Sequence, residues 1–335
     1  MNAAFKAGRE RFEVRQVDLP KMGPHDCRVK VHYCAICVWC YREWQRDGTD
    51  DIYGPGVTGH EMSGVVEQVG PAVHAWKPGD RVLTYFSGHC TKCLACRAGK
   101  TTYCRDEGRP KNVAGGYAEY VVAPEQCLLA VPDGMDLKIA GLISDMVGTS
   151  MHAIRRAFAV NLPRRVIAVW GLGPVGLCTV QGLRTFKAVE RVIAIDPVRS
   201  RRRVALELGA HEALDPNEMG TTDRLQGAND GRGVDYAFNC ALPSPEMAYE
   251  TLRLGGYLMN LTGGYETKSQ CEKRVDASFY FFKPEYDDNV RLVLDGKFRL
   301  DPIVTHEFPL DRINEAMKLR AECPEESLKV TIRCA

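Results

Sequence analysis

No apolar run in this 335-residue chain approaches the roughly 18 residues that a bilayer-spanning helix requires. Charge of one sign is just as scarce. Lys and Arg number 44 against 43 Asp and Glu, a formal net charge of +1. That balance leaves no basic footprint for nucleic acid, and no long like-charge block reads as an interaction tail. The opening stretch, Met1-Asn2-Ala3-Ala4-Phe5-Lys6, lacks the apolar core of a secretory signal and runs straight into charged sequence. Internal repeats and low-complexity segments are missing too. Cysteine, by contrast, is plentiful at 14. Without an export signal, so many thiols predict a cytoplasmic protein that uses them for metal rather than for disulfides. The length exceeds a typical domain, which predicts two, and 45% hydrophobic residues suffice for real cores.

Residues 1 to about 135 read as short strands between Pro/Gly turns. Cys27-Arg28-Val29-Lys30-Val31-His32-Tyr33 alternates like a half-buried strand, and residues 63–70, 80–85 and 115–122 look similar. From about residue 137 the pattern turns helical, then alternates strand with helix, the apolar runs falling at 166–170, 191–195, 234–238 and 256–261. Such alternation predicts an α/β unit with a doubly wound parallel sheet. Later helices are expected at 287–294 and 311–320.

The most informative stretch joins two of those strands. Val166-Ile167-Ala168-Val169-Trp170 runs into Gly171-Leu172-Gly173-Pro174-Val175-Gly176, a helical segment follows, and the next strand ends on Asp196, 20 residues after the last glycine. A lone G-x-G-x-x-G is weak, but strand, glycines, helix and a strand-end carboxylate in this order meet the requirements of a dinucleotide site. Gly171 would make the turn, Gly173 admit the pyrophosphate and Gly176 let helix pack on strand, with helix N–H groups turned to the phosphates. Asp196 would accept both adenosine ribose hydroxyls and repel a 2′-phosphate, which favours NAD over NADP. Arg199, Arg201, Arg202 and Arg203 complicate that choice, since an arginine here can hold the phosphate. They read equally well as the solvated start of a helix, and Arg201 is assigned to the cofactor site.

Three metal signals precede it. Cys90-x2-Cys93-x2-Cys96-x7-Cys104, on a loop with Gly88 and Gly99, suits an all-cysteine zinc site with no open position. An iron–sulfur cluster also takes four cysteines, although no other redox motif accompanies it. Gly59-His60-Glu61 and Ala35-Ile36-Cys37 are weak singly and gain force together.

Taken in order, these motifs resemble the zinc-dependent medium-chain dehydrogenase family, which includes alcohol, sorbitol, threonine and formaldehyde dehydrogenases. The resemblance spans essentially the whole chain. It includes Lys77-Pro78-Gly79-Asp80-Arg81-Val82, Gly116-Tyr117-Ala118-Glu119-Tyr120, Leu252-Arg253-x-Gly255-Gly256 and a tail from Gly296-Lys297 to Pro309-Leu310. It implies a GroES-like β-rich catalytic domain, residues 1–140 and 276–335, with a structural zinc lobe at 88–105 and a Rossmann domain at 141–275. It also implies two zinc ions per chain, one of them catalytic on Cys37, His60 and Asp145. Asp145 matches the branches where an aspartate replaces the third-ligand cysteine, as in the formaldehyde and threonine dehydrogenases. Glu61 matches the family's mobile glutamate, which approaches the metal during ligand exchange.

Two positions depart from the family pattern. Trp39 stands where a hydroxyl normally begins the proton relay, and an indole N–H cannot accept a proton. Cys40 replaces the aspartate that orients the histidine ligand. The implied activity is oxidation of a secondary alcohol by hydride transfer to NAD, with zinc as Lewis acid. By analogy with its branch the substrate is a polyol, sugar, or amino-sugar or cyclitol-like molecule, with Trp39 facing it and Glu61 or water taking the proton. Two other readings remain: a zinc-retaining reductase of C=N or C=C bonds, and a non-catalytic nucleotide-binding member of the fold. The family implies a homo-oligomer, dimer or tetramer.

Overall fold

The structure is a computed structural model that describes residues 1–51, 54–241, 245–262 and 272–335. The chain divides into two compact units, Met1–Asp145 with Phe282–Tyr286 and Val304–Ala335, and Met146–Phe281 with Asp287–Ile303.

The first unit is built on a seven-stranded sheet. Its central strand, Asp26–Ala35, buries Cys27, Val29 and Val31 on one face while Arg28 and Lys30 turn away, the alternation expected of a strand covered on one side. One flank pairs antiparallel with Glu61–Val69. The other flank is shared: residues 26–30 pair with Tyr120–Pro124, and residues 33–35 with Lys329–Arg333. Ala35 thus has Glu61 on one side and Thr331 on the other, which brings the last strand of the chain to the start of Glu61–Val69. The stretch expected as a strand at 115–122 forms one only from Tyr120. Gly115 and Gly116 instead donate their N–H groups to the Gly59 carbonyl at 2.9 and 3.0 Å, so that part of the chain braces the His60 turn.

The second unit holds a six-stranded, all-parallel sheet. Its spatial order is Glu212–Leu214, Arg191–Ile195, Val166–Trp170, Val234–Asn239, Leu252–Asn260, Arg274–Ala277. In chain order that is 3-2-1-4-5-6, the doubly wound arrangement, with its switch point between Val166–Trp170 and Val234–Asn239. Every residue of those two strands is buried. A parallel sheet covered on both faces requires this, and it explains why the strands read as apolar runs. The expected later helices form as Tyr286–Leu294 and Ile313–Glu322. Among the described residues no helix is long and apolar enough to cross a membrane.

Candidate functional site

Cys37, His60, Glu61 and Asp145 come from three separate elements of the first unit, yet each offers a ligand atom within 4.8 Å of all the others. Cys37 occupies the N-cap position of the helix Val38–Gln45. His60 precedes the strand Glu61–Val69 and follows Gly59 at φ +91°, where a Cβ would lie 2.8 Å from Cys34 Sγ. Only glycine meets both demands. Asp145 lies in a single π-helical turn, Ile143–Val147, inserted between Leu137–Leu142 and Gly148–Ala159. Such one-turn widenings recur at functional sites because they re-aim a side chain.

The His60 ring is fixed from three directions. Nε2 faces Asp145 Oδ2 at 3.6 Å, Nδ1 lies 3.8 Å from Cys40 Sγ, and Phe86 packs against the ring at a centroid distance of 5.2 Å. Glu61 is engaged by Lys329, whose Nζ donates to Oε1 at 2.6 Å, contacts Oε2 and reaches the Ile36 carbonyl at 3.4 Å. Both side chains are almost wholly buried, at 3% and 1% exposure. Nothing in the motifs pointed to Lys329. The one available signal was a lysine inside the apolar run Leu328-Lys329-Val330-Thr331-Ile332.

These four donors share a dry site with the Lys329 ammonium. Burial pushes the Cys37 thiol up to about 11, helped by Asp145, and lifts Glu61 to about 8 against the pull of Lys329. Burial would also drive the proton off His60, but Cys40, Asp145 and Cys37 hold that proton well above the usual imidazole range. Sulfur, nitrogen and carboxylate donors of mixed softness suit zinc.

The four cysteines of the lobe gather as well, with all Sγ atoms within 4.8 Å of one another. Cys90 and Cys96, and likewise Cys93 and Cys104, stand 3.9 Å apart. A tetrahedron with Zn–S of about 2.3 Å sets sulfurs roughly 3.8 Å apart. Backbone N–H groups of Cys93 and Cys90 already point at Cys90 and Cys104 sulfurs, at 3.3 and 3.4 Å. Both donor sets fit zinc.

In the second unit the glycine loop meets three different demands. Gly171 has φ +86°, and a Cβ there would strike Ala241 at 2.6 Å. At Gly176 a Cβ would lie 1.8 Å from the Gly171 carbonyl oxygen, whereas at Gly173 it would meet nothing within 4 Å. The open side thus falls at the N-cap of the helix Pro174–Arg184, the expected seat of a pyrophosphate. Leu172 donates its N–H to Asp196 Oδ2 at 2.7 Å, and Val198 to Oδ1 at 2.8 Å. Asp196 is 4% exposed. Two backbone bonds leave a carboxylate with lone pairs for a diol. Of the neighbouring arginines, Arg201 lies 3.9 Å from Asp196 and Arg202 is tied to Asp215 at 2.8 Å. Trp39 is 44% exposed, with the Arg42 guanidinium 5.9 Å over its ring.

Residues 23–133 match the model of the alcohol dehydrogenase GroES-like domain, and residues 174–283 match that of the zinc-binding dehydrogenases. A probable D-xylulose reductase A of Emericella nidulans is 30% identical, over 92% of this chain and 90% of that protein. A geraniol dehydrogenase of Carpoglyphus lactis is 28% identical, over 94% and 93%. Among solved structures, the alcohol dehydrogenase TADH from Thermus sp. ATN1 matches with a TM-score of 0.88 at 23% identity, covering 100% of both chains.

Proposed function

This chain belongs to the zinc-type medium-chain alcohol and polyol dehydrogenases, and from that premise we propose that it oxidises a secondary alcohol of a polyol, sugar, or amino-sugar or cyclitol-like substrate to the ketone. It is an NAD-dependent, zinc-containing oxidoreductase acting on CH–OH. The observation that carries the reading is the convergence of Cys37, His60, Asp145 and Glu61. Three ligands and a poised fourth donor make a catalytic rather than a structural centre. The similarity to a xylulose reductase supports the polyol class.

Cys37, His60 and Asp145 would hold a zinc ion that would supply Lewis acidity to a substrate hydroxyl, and NAD seated on the glycine loop would supply the hydride acceptor. The rest falls to the chain. Asp145 and Cys37 partly neutralise the metal, and His60 fixes its direction. Glu61, paired with Lys329, serves as a fourth donor during ligand exchange rather than as an open base, so the proton leaves through water. Gly171 to Gly176 seat the pyrophosphate, and Asp196, with Arg201 beside it, takes the ribose diol. Trp39 cannot relay a proton and instead presents an aromatic face to the substrate. Cys90, Cys93, Cys96 and Cys104 hold the second zinc. A reducing compartment and a dimer or tetramer complete the proposal.

The test pairs metal counting with turnover. Freshly purified protein should carry two zinc ions per chain and Cys37→Ala one, with NADH appearing on a panel of polyols and amino sugars. A single zinc that survives Cys37→Ala would overturn the catalytic centre. Reduction of an imine or enal with no alcohol oxidised would replace the dehydrogenase with a reductase.

A further inference from the structure

Resting on the reading of NAD as the cofactor, we infer that Asn239 and Asn260 are positioning residues for its nicotinamide half, tying the turns that follow two strands into one platform. They are the last residues of neighbouring parallel strands, Val234–Asn239 and Leu252–Asn260, and stand opposite each other in register. A doubly wound sheet is two mononucleotide-binding halves, which hold a dinucleotide across the switch point at the carboxyl ends of the strands. The glycine loop and Asp196 belong to the first half. Asn239 and Asn260 close two strands of the second, at the same end of the sheet.

Both amides are buried, at 0% and 2% exposure, directly after the apolar pairs Ala237-Phe238 and Leu258-Met259. Asn239 Nδ2 donates to Asn260 Oδ1 at 3.0 Å, to the Ala241 carbonyl at 3.1 Å and to Thr262 Oγ1 at 3.3 Å. Asn260 Oδ1 also accepts the Thr262 N–H at 3.2 Å and its hydroxyl at 2.8 Å. One amide pair thus grips residue 241 in one turn and residue 262 in the other. Stability does not call for this arrangement. Asn239 Oδ1 is buried without a hydrogen-bond partner among the described residues, and a buried acceptor left unpaired is destabilising. Two leucines of similar shape would fill the space with no polar group to satisfy. Leucines could not fix a carbonyl in one turn and an N–H in the other, and that placement is what the amides supply.

The experiment compares Asn239→Leu, Asn260→Leu and the double variant as zinc-loaded proteins, with two probes. NADH reports the nicotinamide half through its own fluorescence, and ADP occupies only the side of Asp196 and the glycine loop. Each single variant should bind NADH roughly 3- to 10-fold more weakly, the loss of one or two hydrogen bonds, while ADP binds as to wild type. The double variant should regain the melting temperature lost by the single ones, because it strands no amide, yet regain neither the NADH affinity nor the emission of bound NADH. It decides the matter even if a single variant fails to fold. Asp196→Ala is the opposite case and should weaken both probes. A double variant that binds NADH as tightly as wild type overturns the positioning role, and so does a parallel loss of NADH and ADP in the asparagine variants. Wild-type protein that binds neither probe overturns the reading of the cofactor beneath it.

Discussion

Lys329 and Glu61 meet across 268 residues of chain, both nearly excluded from solvent. A buried pair adds little net stability, but removing one partner strands the other charge. Lys329→Met should therefore cost about 3–5 kcal/mol. The double variant Lys329→Met with Glu61→Gln should cost less than the single one, which calorimetry of the zinc-loaded proteins would show. Additive losses would mean that the pair is not coupled. This is also where residue-level reading of the sequence ran out. Cys37, His60 and the four lobe cysteines announce themselves by spacing, because metal chemistry restricts residue type and interval together. Lys329 has no such interval. Its position follows from the register that sets Thr331 and Glu61 on either side of Ala35, a fact of pairing and not of composition.

The zinc lobe shows the same division between elements. Its one α-helix, Leu94–Arg97, buries none of its residues, and Leu94 is 86% exposed. A four-residue helix without a core cannot persist unaided, and a zinc ion on the four cysteines would supply the order. The lobe in turn anchors the returning chain. Lys283 donates its backbone N–H to Thr101 Oγ1 at 3.0 Å and its Nζ to the Gln126 carbonyl at 2.6 Å, while Phe282 meets Tyr103 edge-on at 5.1 Å. Cys104→Ser should thus expose both the lobe and residues 282–286 to limited proteolysis, and leave NAD binding intact. Cleavage confined to the lobe would show that the anchor holds without the metal. The parallel strands were legible because two-sided burial writes itself as apolar runs. Residues 115–119 were not, because two glycines donating to a single carbonyl look in sequence like any flexible strand end.

Across the whole molecule, the two-part architecture follows from the change of pattern near residue 137. The second crossing is less visible. Phe282–Tyr286 is held by side-chain bonds to the first unit, while Asn289 and Arg299 bond Arg155 and Gln181 in the second. Each unit also carries a histidine that resists protonation. Burial holds His32 in the first unit below the usual range, aided by Lys30 and Arg81. In the second, burial and then Arg184 do the same to His211. At His211 the cause is plain: Val192 N–H points at Nδ1 at 2.9 Å and the Arg184 guanidinium at Nε2 at 3.1 Å, and an imidazolium would have to donate to both. Below the ordinary imidazole value of about 6.5, the unfolded chain takes up protons that the native state refuses. Stability therefore rises with pH across that window. It is fully present above about pH 6.5 and is lost as pH falls through the lower native values. Carboxylates such as Glu125, held down by the His74 N–H, titrate lower still, while Glu61, pushed up to about 8, contributes equally to wild type and to a variant that changes only these two histidines. Melting temperature should accordingly decline from pH 7 to 5. His32→Gln combined with His211→Asn keeps polar groups in place but removes both titrations, so its decline should be shallower. Parallel curves for wild type and double variant would refute the assignment, since any acid-driven loss of zinc is common to both proteins.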